Sequence, residues 1–362
     1  MQLHLSDFDY HLPDTAIAQT PAQPRDASKL LKLDRQTGQL SDHHFFELDA
    51  LLPSNAILVR NNTKVIPARL YGHKTTGGLV EILLTRRIGI SSTGNERWEC
   101  LTKPGLKPQQ VVRFGNTANL EATCTAITDY TREITFNLGK EAFFSALYEL
   151  GSTPIPPYIH WATDDEAHLR ELYQTIYAKI AGSAAAPTAG LHFTPALEDR
   201  LRSKGIELLE LTLHVGLGTF LPVKTDDITH HQLHKEWFNL PDTTAQIITA
   251  AKADGRPIIS VGTTTTRVLE SCATGPGIVK GKSGETEIYL YPPYQFKIVD
   301  GQITNFHLPK SSLLMMIAAF VSQPNTPELF VTFSQSQLGK AYQHAIDHNY
   351  RFYSFGDAMF IS

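Results

Sequence analysis

The chain has 362 residues, 42% of them hydrophobic and 19% charged, with 32 basic against 36 acidic residues and a net charge of −4. This composition excludes a disordered chain, and the length exceeds what one hydrophobic core usually supports, so two domains are expected. The longest apolar run, 313–321, is far too short to span a bilayer. No charged-then-apolar leader opens the sequence, and Cys100, Cys124 and Cys272 are a sparse, odd set without metal-ligand spacing, so a reducing cytoplasm is the expected location.

In chain order, 3–25 reads as a polar turn, a short helix around 15–19 and a proline-bounded extended segment. A strand is predicted over 29–34, a turn at Gly38, a helix over 45–52 stopped by Pro53, and a buried strand over 56–61 that ends at Asn61-Asn62. From 65 to 139 the texture changes. Runs at 68–73, 79–86, 98–102, 110–114, 119–127 and 133–138 alternate with turn residues such as Gly77-Gly78, Pro104-Gly105 and Gly115-Asn116. Six short strands at this spacing are best stabilised when the sheet closes on itself, so this region is read as a small β-barrel.

Helix 141–150 and the stiff run Pro154-Ile155-Pro156-Pro157 lead back to the larger unit. Spacing of Leu169, Leu172, Ile176 and Ile180 predicts one helix over 164–179, delivering Tyr173, Tyr177 and Lys179 to the next loop. Helix 195–204, strand 206–215, helix 242–254, strand 257–261 and a helix resuming at 267–273 follow. This order fits α/β organisation. The stretch 275–284 is read as a mobile loop, 287–291 and 295–299 as strands, and 310–321, 327–334 and 336–348 as helices.

Four loops share an unusual texture. They are Gly182-Ser183 with 185–194, then 213–220, 261–267 and 303–312, in which strand-like runs end in Gly, Thr, Asn or Ser beside an ionisable residue. Glycine removes bulk, hydroxyls donate or accept, and Thr194 is placed to cap the helix that follows it. An ordinary capped loop explains any one of them, whereas four at strand ends suggest one composite ligand pocket. Gly216-x-Gly218 and Gly262 do not make a dinucleotide fingerprint, no phosphate loop occurs, and Ser183 and Ser311 lack a nucleophile elbow. The spacing of His231, His234 and Glu236 would share a helix face and, with His230, invites a metal, but no further ligand completes a site, so none is assigned.

These loops, together with Asp7-Phe8-Asp9-Tyr10-His11-Leu12-Pro13, the block 61–70 and Tyr350-Arg351-Phe352-Tyr353-Ser354-Phe355-Gly356-Asp357-Ala358-Met359, resemble the S-adenosylmethionine:tRNA ribosyltransferase-isomerases of queuosine biosynthesis nearly end to end. His231 to Glu236 is similar to that family's His-x-Met-His-x-Glu segment, with Leu233 for Met and Lys235 for Ser. The resemblance implies a larger α/β domain (mixed α+β; 1–64 plus 152–362) with an inserted six-stranded β-barrel domain (65–151); a monomer is the separate expectation. It also implies transfer and isomerisation of the ribosyl group of S-adenosylmethionine onto 7-aminomethyl-7-deazaguanine at the wobble position of a tRNA, giving epoxyqueuosine-tRNA, adenine and methionine. S-adenosylmethionine is then a consumed substrate and no cofactor is required.

Such chemistry needs a base effective near pH 7, a donor to the leaving adenine and a carboxylate clamp. His192, His214 and His307 are candidate bases, with a satisfied buried histidine as the competing explanation for each. Asp357 or Glu270 is placed to meet the sulfonium, the amine or adenine, and Arg267 or Arg351 to fork onto the methionine carboxylate. Pro187, Thr188, Gly190, Gly216, Gly218, Gly262, Thr263, Thr264 and Asn305 complete the substrate-binding set. The net charge alone speaks against a nucleic-acid partner, yet 51–80 and 101–120 lack acidic residues, so Lys64, Arg69, Lys103 and Lys107 are candidate tRNA contacts. Tyr350, Phe352 and Tyr353 can stack on a base or fill the core, and core is the reading for Phe352. An S-adenosylmethionine-dependent tRNA methyltransferase and a non-enzymatic RNA-binding module are the competing classes. The first lacks its glycine-rich fingerprint here, and the second leaves four polar loops unexplained.

Overall fold

A computed structural model describes residues 3–115, 119–128, 130–156, 158–159, 165–216 and 223–362. Its larger part is built on a nine-stranded sheet in the order Lys282–Thr286, Glu236–Leu240, Glu207–Leu213, Ile57–Asn61, Ile258–Val261, Gly301–Asn305, Ala358–Ile361, Lys29–Leu33 and Leu40–His44. Four neighbours, Glu207–Leu213, Ile57–Asn61, Ile258–Val261 and Gly301–Asn305, run parallel. The last three of these are buried along their whole length, as expected of central parallel strands covered on both faces. One face carries Leu31, Val59, Leu211, Val268 and the fully buried helix residues Leu314 to Phe320, and the other carries Leu58, Ile259, Ile303, Leu197 and Phe193.

The second part is the closed barrel, in the order Thr131–Phe136, Glu96–Lys103, Leu79–Ile90, Arg69–Lys74, Val111–Phe114 and Leu120–Thr128. All six predicted strands are present. Leu70, Val80, Ile82, Trp98, Val112, Phe114 and Ile134 fill its interior, and helix Lys140–Leu150 adds Phe143 and Leu147 to the same core. The fold is therefore mixed α/β with a six-stranded barrel.

Five local expectations are corrected. The helix predicted over 164–179 spans only Glu166–Leu172, because Arg25 donates to the carbonyls of Glu171, Leu172 and Gln174 at 3.0, 3.1 and 2.6 Å and so satisfies the end of the helix. Ile176 and Ile180, expected on its apolar face, are exposed. The stretch 275–284 is not a loop: Ala273–Gly275 pairs with Ile278–Val279, and Lys282–Thr286 pairs with Glu236–Leu240. Residues 287–291 and 295–299 are not strands, since the backbone N–H groups of Lys297, Ile298 and Val299 go to the Glu270 carboxylate. The helix expected over 327–334 is an irregular segment with a single turn at Phe333–Gln335, held by Phe330 stacked on Phe8 with ring centroids 4.8 Å apart. Likewise 15–19 holds only part of the turn Asp14–Ala16.

Candidate active site

The carboxyl ends of the four parallel strands meet at one place, tied there by side chains that bridge the loops. Asn61, closing the strand Ile57–Asn61, accepts from Leu213 N at 3.0 Å and donates to Leu213 O at 3.0 Å and to Thr264 Oγ1 at 3.2 Å. Ser183 Oγ accepts from Val215 N at 2.9 Å and donates to Ala185 O at 2.7 Å. Thr188 Oγ1 donates to Asn305 Oδ1 at 2.8 Å. Apart from the Ser183–Ala185 bond, which lies within one loop, these bonds join segments that the sequence separates by 32 to 203 residues.

Between them lies a cavity of about 360 Å³, lined from the first loop by Ala186, Pro187, Thr188 and Ala189, from the second by Val215, from the third by Gly262, Thr263, Thr264 and Arg267, and from the fourth by Thr304 to Ser312. All four loops therefore contribute to one site. Pro156, Tyr158, Tyr173, Tyr353 and Ser354 complete the wall. Helix Thr263–Cys272 begins directly after Gly262, so the threonines form its first turn rather than a loop; Thr266 N donates to Gly262 O at 3.3 Å, and the N–H groups of Thr263, Thr264 and Thr265 lack intrahelical partners. Glycine is required at 262 because φ is +85°, and at 190 because a Cβ there would sit 2.0 Å from the Tyr177 hydroxyl.

Arg267 is 7% exposed, and its Nη1 pairs with the buried Glu236 carboxylate, which also accepts from Gly216 N at 2.9 Å. Its Nε and Nη2 are buried without a hydrogen-bond partner among the described residues. Those two nitrogens form the side-on fork that Arg87 uses on Glu96 elsewhere in the molecule. A buried guanidinium edge without a partner, on a residue that borders a cavity, suits a planar anion.

The three histidines differ in place. His307 lines the cavity, its Nε2 lies 2.8 Å from Thr304 Oγ1, and burial pushes its pKa down to about 3. His192 stands behind the wall, 5% exposed. Asn305 donates to its Nε2 at 3.2 Å, which leaves the Nδ1 proton for Ser28 Oγ at 2.7 Å; burial, reinforced by the Arg351 charge, pushes its pKa down to about 3. Ser28, His192, Asn305 and Thr188 thus form a chain of hydrogen bonds that reaches the cavity only through Thr188 and Asn305. His214 is outside the lining, stacked on Trp237 at 4.9 Å with Nδ1 2.8 Å from Thr63 Oγ1, and burial lowers its pKa to about 4.

Several predicted residues serve the frame instead of the lining. Asp357 is 2% exposed and accepts from Lys29 N at 3.0 Å, Arg351 N at 2.8 Å and Arg351 Nη2 at 3.2 Å. Arg351 spends its other terminal nitrogen on Thr20 O at 3.1 Å. Glu270 accepts from three backbone N–H groups and from Tyr294, and burial raises its pKa against the pull of those donors. Gly216 borders a separate hollow beside Arg86 and His234, Gly190 packs under Tyr177, and Gly218, with the rest of 217–220, lies outside the described residues, as does Asn116. Lys64, Lys103 and Lys107 are exposed, while Arg69 pairs with Glu81 at 3.2 Å and reaches Ile155 O. Tyr350 and Phe352 are buried in the main core, and Tyr353 reaches the cavity. Glu236, Asn61, Tyr158 and Ser354 were not singled out for this site by sequence. Asn61 carried a signal as the polar stop of a buried strand, and Glu236 as the last residue of the block 231–236.

No helix among the described residues is long and apolar enough to cross a membrane. Residues 5–361 match the model of the family described as queuosine biosynthesis protein. The chain is 47% identical to an S-adenosylmethionine:tRNA ribosyltransferase-isomerase of Desulfitobacterium hafniense and 44% identical to one of Geotalea uraniireducens, each alignment covering 99% of this chain and 100% of the relative. The crystal structure of S-adenosylmethionine tRNA ribosyltransferase from Thermotoga maritima is similar at a TM-score of 0.54 and 34% identity, over 99% of this chain and 100% of that one. On a cavity formed by all four loops and on full-length matches to enzymes of one kind, the chain belongs to the queuosine biosynthesis protein family of tRNA ribosyltransferase-isomerases.

Proposed function

We propose that the cavity binds S-adenosylmethionine as a consumed ribosyl donor and that the chain transfers and isomerises its ribosyl group onto 7-aminomethyl-7-deazaguanine at the tRNA wobble position. The unpaired fork of Arg267, a residue that borders the cavity, beside the unpaired N–H groups of the first turn of Thr263–Cys272, is the observation that carries this reading, because together they suit the methionine carboxylate. The sulfonium acidifies the C5′ hydrogens; a base removes one, the ylide expels adenine, the acceptor amine attacks the sugar, and epoxide closure releases methionine. His307 is the histidine placed for the first step, being the one of the three in the lining.

The acceptor approaches over Lys64, Lys103 and Lys107, which make no ion pair among the described residues, and its binding weakens with salt as phosphate neutralisation requires. Arg69 shares its charge with Glu81 and contributes less. The barrel's separate core supports treating 65–151 as a domain inserted into 1–64 plus 152–362. A cytoplasmic monomer needing no cofactor completes the reading.

The relatives' names specify ribosyl transfer, and nothing favours the methyltransferase. Protein mixed with labelled S-adenosylmethionine and precursor-modified tRNA is expected to release adenine and methionine. S-adenosylhomocysteine instead would install the methyltransferase reading, and no turnover at all would leave an RNA-binding module.

A further inference from the structure

Among the described residues five non-glycine positions have left-handed backbone, and two of them, Lys310 and Tyr353, line the cavity. Asparagine and glycine enter this region readily, whereas a bulky aromatic side chain there is a true outlier. Tyr353, with φ of +72°, is held by its surroundings. Its N–H donates to Phe306 O at 3.3 Å, its carbonyl accepts from Gly356 N at 3.0 Å, and Asp357 closes the turn by accepting from Arg351 N while its own N–H donates to Arg351 O at 2.8 Å. Strain kept in place by so many bonds, at a cavity wall, points to a side chain wanted there for a ligand.

That side chain is one half of an aromatic pair. The Tyr353 and Tyr158 rings lie with centroids 4.5 Å apart at 38°, and the Tyr158 hydroxyl is 2.6 Å from Ser354 Oγ, so both rings are fixed by the same turn. Both border the cavity. Resting on the reading of that cavity as the substrate site, we propose that Tyr353 and Tyr158 form the stacking wall for a purine-type bicyclic ring, and that the turn closed by Asp357 exists to present it. Two rings of this chemistry enter the reaction, the adenine of the donor and the deazaguanine of the acceptor.

The test uses the full chain with Tyr353→Asn, Tyr353→Phe and Tyr158→Leu. Tyr353→Asn is expected to melt at the same temperature as the parent or above it, since asparagine tolerates the turn, yet to weaken one substrate by about ten- to a hundredfold. Tyr353→Phe keeps the ring and stays within about threefold of the parent. Tyr158→Leu weakens the same substrate without touching the left-handed residue. Calorimetry with S-adenosylmethionine alone reads the donor arm, and the KM for precursor tRNA reads the acceptor arm, so the affected arm identifies the ring. Unchanged binding and KM in both Tyr353→Asn and Tyr158→Leu overturn the proposal, as does a loss confined to melting temperature. A parent chain that binds no S-adenosylmethionine overturns the cavity assignment itself, a separate and recognisable failure.

Discussion

Arg267 and His192 show how a side chain's partners decide what it can do. Arg267→Lys keeps the charge facing Glu236 but loses the planar fork, so the Kd for S-adenosylmethionine should rise about tenfold or more with little change in melting temperature. Calorimetry together with a thermal melt checks this. His192 has both ring nitrogens occupied, so His192→Gln should lower stability by about 1–3 kcal/mol and lower kcat partially, whereas His307→Gln should remove adenine release while S-adenosylmethionine still binds. Single-turnover adenine release separates the two; equal losses would return His192 to the role of base. The sequence placed both histidines in the right loops, but it could not show which face of the wall each occupies. That difference is set by Asn305 and Ser28, 113 and 164 residues away.

At the level of elements, the barrel and the central strands were readable because their alternation and β-branched composition are local signals. The failures share one cause. Residues 295–299 have a strand's composition, yet a buried carboxylate 27 to 29 positions earlier takes the N–H groups of 297–299 that a ladder would have used. Residues 173–180 continue a helical spacing that Arg25 cuts off. Long-range polar contacts of this kind leave no periodicity in the sequence. Glu270→Ala should therefore destabilise the chain by about 3 kcal/mol and speed amide exchange over 294–299, while the Kd of the folded fraction for S-adenosylmethionine stays near the parent value. Exchange measured by mass spectrometry decides it, and a large affinity loss would put Glu270 back in the substrate site.

For the whole molecule, burial lowers the pKa of His192, His214 and His307 to about 3, 4 and 3, all below the ordinary histidine value near 6.5. The unfolded chain then binds more protons than the folded one from about pH 6.5 downward, so stability is complete above that range and falls as pH drops toward 4. Melting temperature should decline steadily between pH 6.5 and 4.5, and His192→Gln should flatten part of that slope. A flat profile would mean that these imidazoles protonate freely in the fold.

The strand Ala358–Ile361 sits inside the sheet, bonded to Gly301–Asn305 on one side and Lys29–Leu33 on the other, and Leu40–His44 joins the sheet only through Lys29–Leu33. During synthesis, the hairpin made near the beginning must wait, unpaired at one edge, for more than three hundred residues before its neighbour emerges from the ribosome. Closure of contacts so distant along the chain is slow. A nascent chain stalled before residue 358 should thus expose that edge to chaperones, although its barrel is already complete.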